Sequence, residues 1–393
     1  MSKTEKHNVL IVGSKLEKIA IKDNLPILYL PTKIPMIVTP KLYSRKIEDN
    51  KETEILGGYL LNDQEYTDNL IKQKWDMNIE TILLKNNTIY NMVNNINSVS
   101  YKINIKVLDF IKSNYKKYNL LIDKDFIHPL SLKTKLKYNE KIELESFLSI
   151  KDLEQNILGL ANIFSYIPKF YLPVRLDFRG RINCISEYLN YQGSELAKAL
   201  LLFSEGEKVY KTDIKSINFL KIFGANCFGL SKSSYNQRIE WVDSNLNNII
   251  KLDQNFIFKA DSPLLFLSSC LELIDYINNP NEFKSRLPIY KNATCSGLQP
   301  LSSMLNDSNL AKHVNIIKSN RDELPNDVYA MMVDTINHEI NEIINKKPEY
   351  ANIGNLKINI KFIKRDIMTI PYGATIRGIF NQLKSDHFYF YKI

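Results

Sequence analysis

Apolar residues recur along this chain at changing intervals, and the changes mark out its predicted elements. Residues 1–60 hold short apolar segments broken by Pro26, Pro31, Pro35 and Pro40, then by Gly57-Gly58-Tyr59. Proline at that density forbids a long helix and predicts extended chain and turns. From about 63 to 118 the spacing becomes three and four, as in Ile103, Val107, Leu108 and Ile111, which predicts helix. Residues 120–138 read as a connecting loop and 140–164 as a helix, closed by Pro168 and Pro173. The stretch 170–185 is rich in aromatic and β-branched residues and reads as extended. Residues 194–280 read as mostly helical, with interruptions near Gly224, Gly229 and Pro263. A short strand is predicted at 287–290, leading through the turn Asn292-Ala293-Thr294 into a helix at 296–305. Further helices are predicted at 328–345 and from about 362. The outline is α+β, helix-rich and free of internal repeats.

The chain has 393 residues, 44% hydrophobic and 24% charged, enough for one or two substantial cores and two or three domains. The stretches 196–203 and 263–273 are the most apolar, and neither approaches the roughly 18 apolar residues of a membrane span. No membrane partner is expected. The formal net charge is +9, with lysines spread along the chain, so folding could build a basic groove for a polyanion. A lysine-rich solvated surface fits the same charge. Cys184, Cys227, Cys270 and Cys295 form no Cys-x-x-Cys pair, and His338-Glu339 lacks a second histidine at zincin spacing. A disulfide framework or zinc site is therefore not predicted, and the cysteines read as buried small hydrophobes. Residues 1–13 have neither a secretory signal nor an arginine-rich amphipathic leader. A protein of this kind working in an organelle is expected to be encoded there, as its abundant Asn, Lys, Ile and Tyr also suggest.

Three segments carry candidate chemistry. The first is Leu176-Asp177-Phe178-Arg179-Gly180-Arg181, followed by Asn190-Tyr191-Gln192-Gly193 and a helical Glu195–Leu201 run. Two arginines around a glycine at a strand end can set guanidinium forks against phosphates, with Asp177 orienting them. An ordinary strand-end ion-pair cluster uses the same residues. The second runs from Leu287 to Asp307 and contains Asn292-Ala293-Thr294-Cys295-Ser296-Gly297-Leu298-Gln299-Pro300. The third is Phe362-Ile363-Lys364-Arg365-Asp366-Ile367-Met368-Thr369-Ile370-Pro371-Tyr372-Gly373. Lys364 and Met368 stand one helical turn apart and so share a face. Pro371 removes a backbone donor and should disturb the helix there.

Together these segments resemble the single-subunit, phage-type RNA polymerases of mitochondria, and the third is similar to the mitochondrial-plasmid branch. The first resembles that family's Asp-x-x-Gly-Arg signature. The resemblance implies that Asp177, Arg179 and Arg181 meet the template strand and the RNA–DNA hybrid. The second resembles the palm motif in which an aspartate precedes Gly-Ser-Cys-(Ser/Asn)-Gly-(Leu/Ile)-Gln-His. The third resembles the fingers helix Lys-x-x-Val-Met-Thr-x-x-Tyr-Gly. It implies nucleotide binding by Lys364, Met368, Tyr372 and Gly373, with Lys364 on the phosphates and Tyr372 beside the base and ribose. Weaker echoes lie at 33–38 with 57–59, at 95–108, at 222–227 and at 261–263, so the likeness runs from about residue 30 onward.

The resemblance implies template-directed nucleotidyl transfer from NTPs to an RNA 3′ end, with DNA template, RNA transcript and NTPs as partners, in mitochondria. It also implies two Mg²⁺ ions held by carboxylates. Position 292, where the family's metal-binding aspartate stands, is Asn292, a degenerate ligand that brings no negative charge. The loss is expected to remove roughly several kcal/mol of transition-state stabilisation. Pro300 stands where histidine is usual, and Ile360 where an arginine precedes the lysine. The family's later His-Asp-Ser motif, with its second metal-binding aspartate, is expected to be missing. The expected fold is the right-hand polymerase, truncated after the nucleotide-binding helix of the fingers. Residues 1–81 would end the N-terminal domain and 82–167 form a helical thumb. Residues 168–308 would be part of the palm, with a helical insertion at 206–282, and 309–393 the start of the fingers. Two alternatives remain: a non-catalytic nucleic-acid-binding remnant, and a DNA polymerase of the same superfamily, against which Tyr372 and the 177–181 segment argue.

Overall fold

The computed structural model describes residues 34–48, 51–55, 57–58, 71–72, 87–123, 125–177, 180–291, 293–317, 323–349 and 358–387. The chain divides into two compact units, one formed by residues 1–229 and 245–288, the other by 230–244 and 289–393.

The first unit is organised on two small sheets with helices around them. In one, Ser100–Ile103 is central, antiparallel to Phe170–Tyr171 on one side and to Leu201–Phe203 on the other. Tyr101 and Ile103 alternate inward along this strand and are buried. The strand corrects the predicted helix over 63–118. Within that range the described helices are Asn87–Asn97 and Ile105–Tyr118, while 63–70 and 73–86 lie outside the described residues. The break comes from Asn104. Its Oδ1 accepts from Val107 N at 3.4 Å, capping the second helix, while its amide nitrogen donates to Ser268 Oγ at 2.9 Å. The helix then buries Val107, Leu108 and Ile111.

The predicted helix at 140–164 forms as Tyr138–Phe164. Its C-terminal half buries Ile157, Leu160, Ala161 and Phe164, and Phe164 meets Phe170 edge-on at 5.1 Å. The second sheet has Val174–Asp177 at its centre, parallel to Ile71–Lys72 and antiparallel to Ile182–Cys184. Extended chain at 170–185 is therefore correct. Between 194 and 280 the helical reading misses Leu201–Phe203 and Glu207–Lys208, both strands. The strand expected at 287–290 does not form. Pro288 has no amide hydrogen to offer a ladder, and the strand here is Lys284–Ser285, paired with Glu207–Lys208.

Helix Ile214–Phe228 runs unbroken through Gly224 and stops at Gly229, where φ is +124°. Gly224 is needed for contact, not for flexibility. A β-carbon there would stand 2.8 Å from Ser269 Oγ on the helix Pro263–Asn278. Pro263 opens that helix at its first turn, where a missing amide hydrogen costs nothing. Glu195 closes the same end, its Oε1 accepting from Leu264 N at 2.6 Å and Leu265 N at 3.1 Å.

The second unit has its core at Cys295, Val314, Val328, Tyr329, Ile363 and Ile367. These come from the helices Val328–Lys346 and Ile360–Thr369 and from the chain around the short helices Leu298–Met304 and Ser308–His313. Cys227, Cys270 and Cys295 are buried as expected, but Cys184, on an edge strand, is only partly buried. Burial of its sulfur still pushes the Cys184 thiol up to about 12.

The helix contact at Gly224 makes a sharp prediction. In an open helix interior, glycine to alanine gains about 1 kcal/mol. Here Gly224→Ala should instead lower unfolding stability by about 1 kcal/mol, because overpacking costs about 1–3. In a Ser269→Ala background the clash is gone, since the two β-carbons would be 3.7 Å apart. Urea titration of the four proteins should show the sign reverse. Identical effects of Gly224→Ala in both backgrounds would disprove this packing.

Candidate functional site

The helix Ile360–Thr369 starts at Asn359, whose Oδ1 accepts from Phe362 N at 3.1 Å. Ile363, Asp366 and Ile367 are buried on one side. Lys361, Lys364 and Met368 are exposed on the other, at the three- and four-residue spacing that makes them neighbours. The pattern of one locked apolar stripe and one cationic stripe fixes which way the lysines point.

Lys364 does not stand alone. Its Nζ lies 5.6 Å from the ring centroid of Tyr329, within reach of a cation–π attraction. Tyr329 is buried, and its hydroxyl is hydrogen-bonded to the Cys295 thiol. Burial first, and that hydrogen bond second, raise the phenol above its ordinary range. Cys295 has φ of +50°, a left-handed conformation that disfavours a β-carbon. Its carbonyl accepts from Leu298 N at 2.9 Å and Gln299 N at 3.3 Å, anchoring the start of the next helix.

The Cys295–Gln299 segment is tied down by side-chain amides. Gln299 Nε2 donates to Val314 O at 2.9 Å. Asn315 Nδ2 donates to Thr294 Oγ1 at 3.2 Å and to Asn326 O at 2.7 Å, while its Oδ1 accepts from Asn326 N at 2.9 Å. Pro300 falls in the first turn of Leu298–Met304, where the helix tolerates it.

Pro371 ends the helix at Thr369 and places residues 370–372 in a 3₁₀ turn, closed by Gly373 at φ +83°. This turn seats on Gly297. A β-carbon at Gly297 would stand 2.8 Å from Pro371 Cβ and 3.2 Å from Tyr372 Cε2. The second and third sequence segments therefore meet at this contact, and Tyr372 is exposed beside it.

Asn292 and Arg179 lie outside the described residues. Asp177, Gly180 and Arg181 belong to the first unit and form a turn of their own. Gly180 N donates to Asp177 O at 2.9 Å, and Arg181 N to Asp177 Oδ1 at 2.9 Å. Gly180 has φ of +77° and open space where a β-carbon would be. Arg181 is exposed. Sequence reasoning missed Tyr329 and gave Gln192 no role of its own. Tyr329 carries no signal beyond helical spacing, whereas Gln192 lies in the Asn190–Gly193 stretch of the first candidate segment.

A family model for DNA-dependent RNA polymerase matches residues 211–388. A probable DNA-directed RNA polymerase of Podospora anserina is 43% identical over 401 residues, covering 98% of this chain and 41% of the relative. One of Neurospora crassa is 39% identical, covering 90% of this chain and 40% of the relative. T7 RNA polymerase of Escherichia phage T7 is 28% identical over 262 residues, 58% of this chain and 29% of that protein. These matches support the single-subunit, phage-type RNA polymerase family as the one this chain resembles. The chain spans about two fifths of the length of the first two relatives.

Mg²⁺, which family members generally use, requires clustered carboxylates. Among the described residues no set of donors supplies a two-ion site. An amide stands at position 292, and the described residues hold no group of three or more metal-ligating side chains.

Gly297→Ala should force the 370–372 turn away and lower the stability of the second unit by about 1–3 kcal/mol. Hydrogen exchange should speed up at Gly373 N, which donates to Ile370 O at 3.0 Å. Wild-type exchange at that amide in the variant would argue against the seating.

Proposed function

We propose that this chain forms the nucleotide-binding and hybrid-contacting part of a DNA-directed RNA polymerase that transfers nucleotidyl groups from NTPs to an RNA 3′ end. The observation that carries the reading is the exposed face of Lys361, Lys364 and Met368, ending at a Tyr372 turn seated on Gly297. A triphosphate lies along the lysines, and the base and ribose lie by Tyr372 and Gly373. Arg179 and Arg181 meet the template and hybrid backbone, with Asp177 orienting them. The architecture is a right hand, with its thumb at 82–167, part of the palm at 168–308 and the start of the fingers at 309–393. The protein works in mitochondria, as do relatives such as the Schizosaccharomyces pombe enzyme named a mitochondrial DNA-directed RNA polymerase. It belongs with the plasmid-borne branch. Its partners are DNA template, RNA transcript and NTPs.

A charged hydrogen bond to a phosphate is worth about 1.5–3 kcal/mol, so Lys364→Ala should weaken binding of a fluorescent NTP about 10- to 100-fold. Lys364→Arg should lose less. Equal affinity in Lys364→Ala and wild type would remove the nucleotide reading.

One observation favours a second reading, a nucleic-acid-binding remnant without chemistry: the amide at position 292. On that reading the chain binds a primer–template hybrid with salt-dependent affinity, yet neither Mg²⁺ nor Mn²⁺ supports extension. Extension gained by Asn292→Asp would instead identify position 292 as the missing carboxylate.

A further inference from the structure

The turn that carries Arg181 is the end of a hairpin with one exposed edge. Val174–Asp177 has Ile71–Lys72 on its outer side, but Ile182–Cys184 has no further strand beside it among the described residues. Residues 182 and 184 turn their backbone N–H and C=O outward, because residues 181, 183 and 185 face the other strand. Asp177 N donates to Arg181 O at 2.9 Å, and Ile185 N to Pro173 O at 2.8 Å.

One side chain takes the two of these that face each other, Cys184 N–H and Ile182 C=O. Gln192 Oε1 accepts from Cys184 N at 2.7 Å, and its Nε2 donates to Ile182 O at 2.9 Å. The primary amide thus does what the peptide of a neighbouring strand would do. Gln192 is itself held, because its backbone N donates to Asn190 Oδ1 at 2.9 Å. Asn190 is buried, and its Nδ2 donates to Ser186 O at 2.7 Å and Glu187 O at 3.1 Å. A short relay of two amides therefore connects a buried loop to the residue that follows Arg181.

We propose that Gln192 is a positioning residue for Arg181, holding Ile182 so that the arginine leaves the strand in one direction toward a nucleic-acid phosphate. The proposal rests on reading this turn as a backbone contact. A bare edge cover would stabilise the hairpin equally well, but it would not couple to Arg181 in binding. Gln192→Met keeps the length and removes both hydrogen bonds. Gln192→Glu keeps the acceptor and loses the donor.

The test is binding of a labelled short RNA–DNA hybrid to the full 393-residue chain across a salt series, with thermal melting of each variant. Gln192→Met should weaken binding several-fold and lower the slope of log affinity against log salt by about 1, the signature of one lost phosphate contact. In an Arg181→Ala background it should have no further effect. An unchanged slope, or losses that simply add to those of Arg181→Ala, overturns the positioning role. Gln192→Glu carries the same comparison, at smaller amplitude, if the methionine variant melts below the assay temperature. Absence of salt-dependent hybrid binding by the wild-type chain would instead remove the reading of the turn itself.

Discussion

The close approach of Gly297 to Pro371 and Tyr372 is the constraint on which the second unit depends. Two segments far apart in the chain can touch there because one of them has no side chain. That contact sets where the 3₁₀ turn lies, and the turn sets where Tyr372 stands relative to the exposed lysine stripe. Pro371 contributes by stopping the helix at Thr369, so the turn begins in a defined place. The same proline would be a defect in a longer helix. Here it defines a corner.

Side-chain amides recur as substitutes for backbone partners. Asn94 Oδ1 accepts from Tyr43 N at 2.9 Å and its Nδ2 donates to Tyr43 O at 2.8 Å. Gln192 does the same for the edge of a hairpin and Asn315 for the chain at Asn326. Each pairs a backbone donor and acceptor, and at Tyr43 and Asn326 the paired groups are partly buried, where leaving one unsatisfied costs up to about 1–3 kcal/mol. Small sheets of two and three strands have little ladder of their own. Amides at their margins give these short strands a fixed register.

The legible parts of the fold were those with strong local signals. The helix Tyr138–Phe164 follows from its own periodicity, and Gly229 and Pro263 bound helices through their backbone chemistry. The strand Ser100–Ile103 was hidden because its alternation spans only two inward residues and merges with the helical spacing from Ile103 onward. Its pairing with Leu201–Phe203 is set by tertiary packing, which no local pattern reports. Gly224 looked like a breaker because its role, a close helix contact with Ser269, is visible only when both helices are placed. At the site, Lys364, Met368, Tyr372 and Gly373 could be read from the segment itself. Tyr329 could not, since its part is a ring beneath a lysine on another helix.

The central claim is that the face bearing Lys364 receives the triphosphate of an incoming nucleotide. An NTP carrying an amine-reactive group on its γ-phosphate, with the adduct mapped by mass spectrometry, tests it most directly. The account predicts that the adduct forms mainly on Lys364, with Lys361 as its neighbour, and that excess unmodified NTP suppresses it. Labelling scattered over lysines elsewhere in the chain, with no protection by NTP, would contradict it.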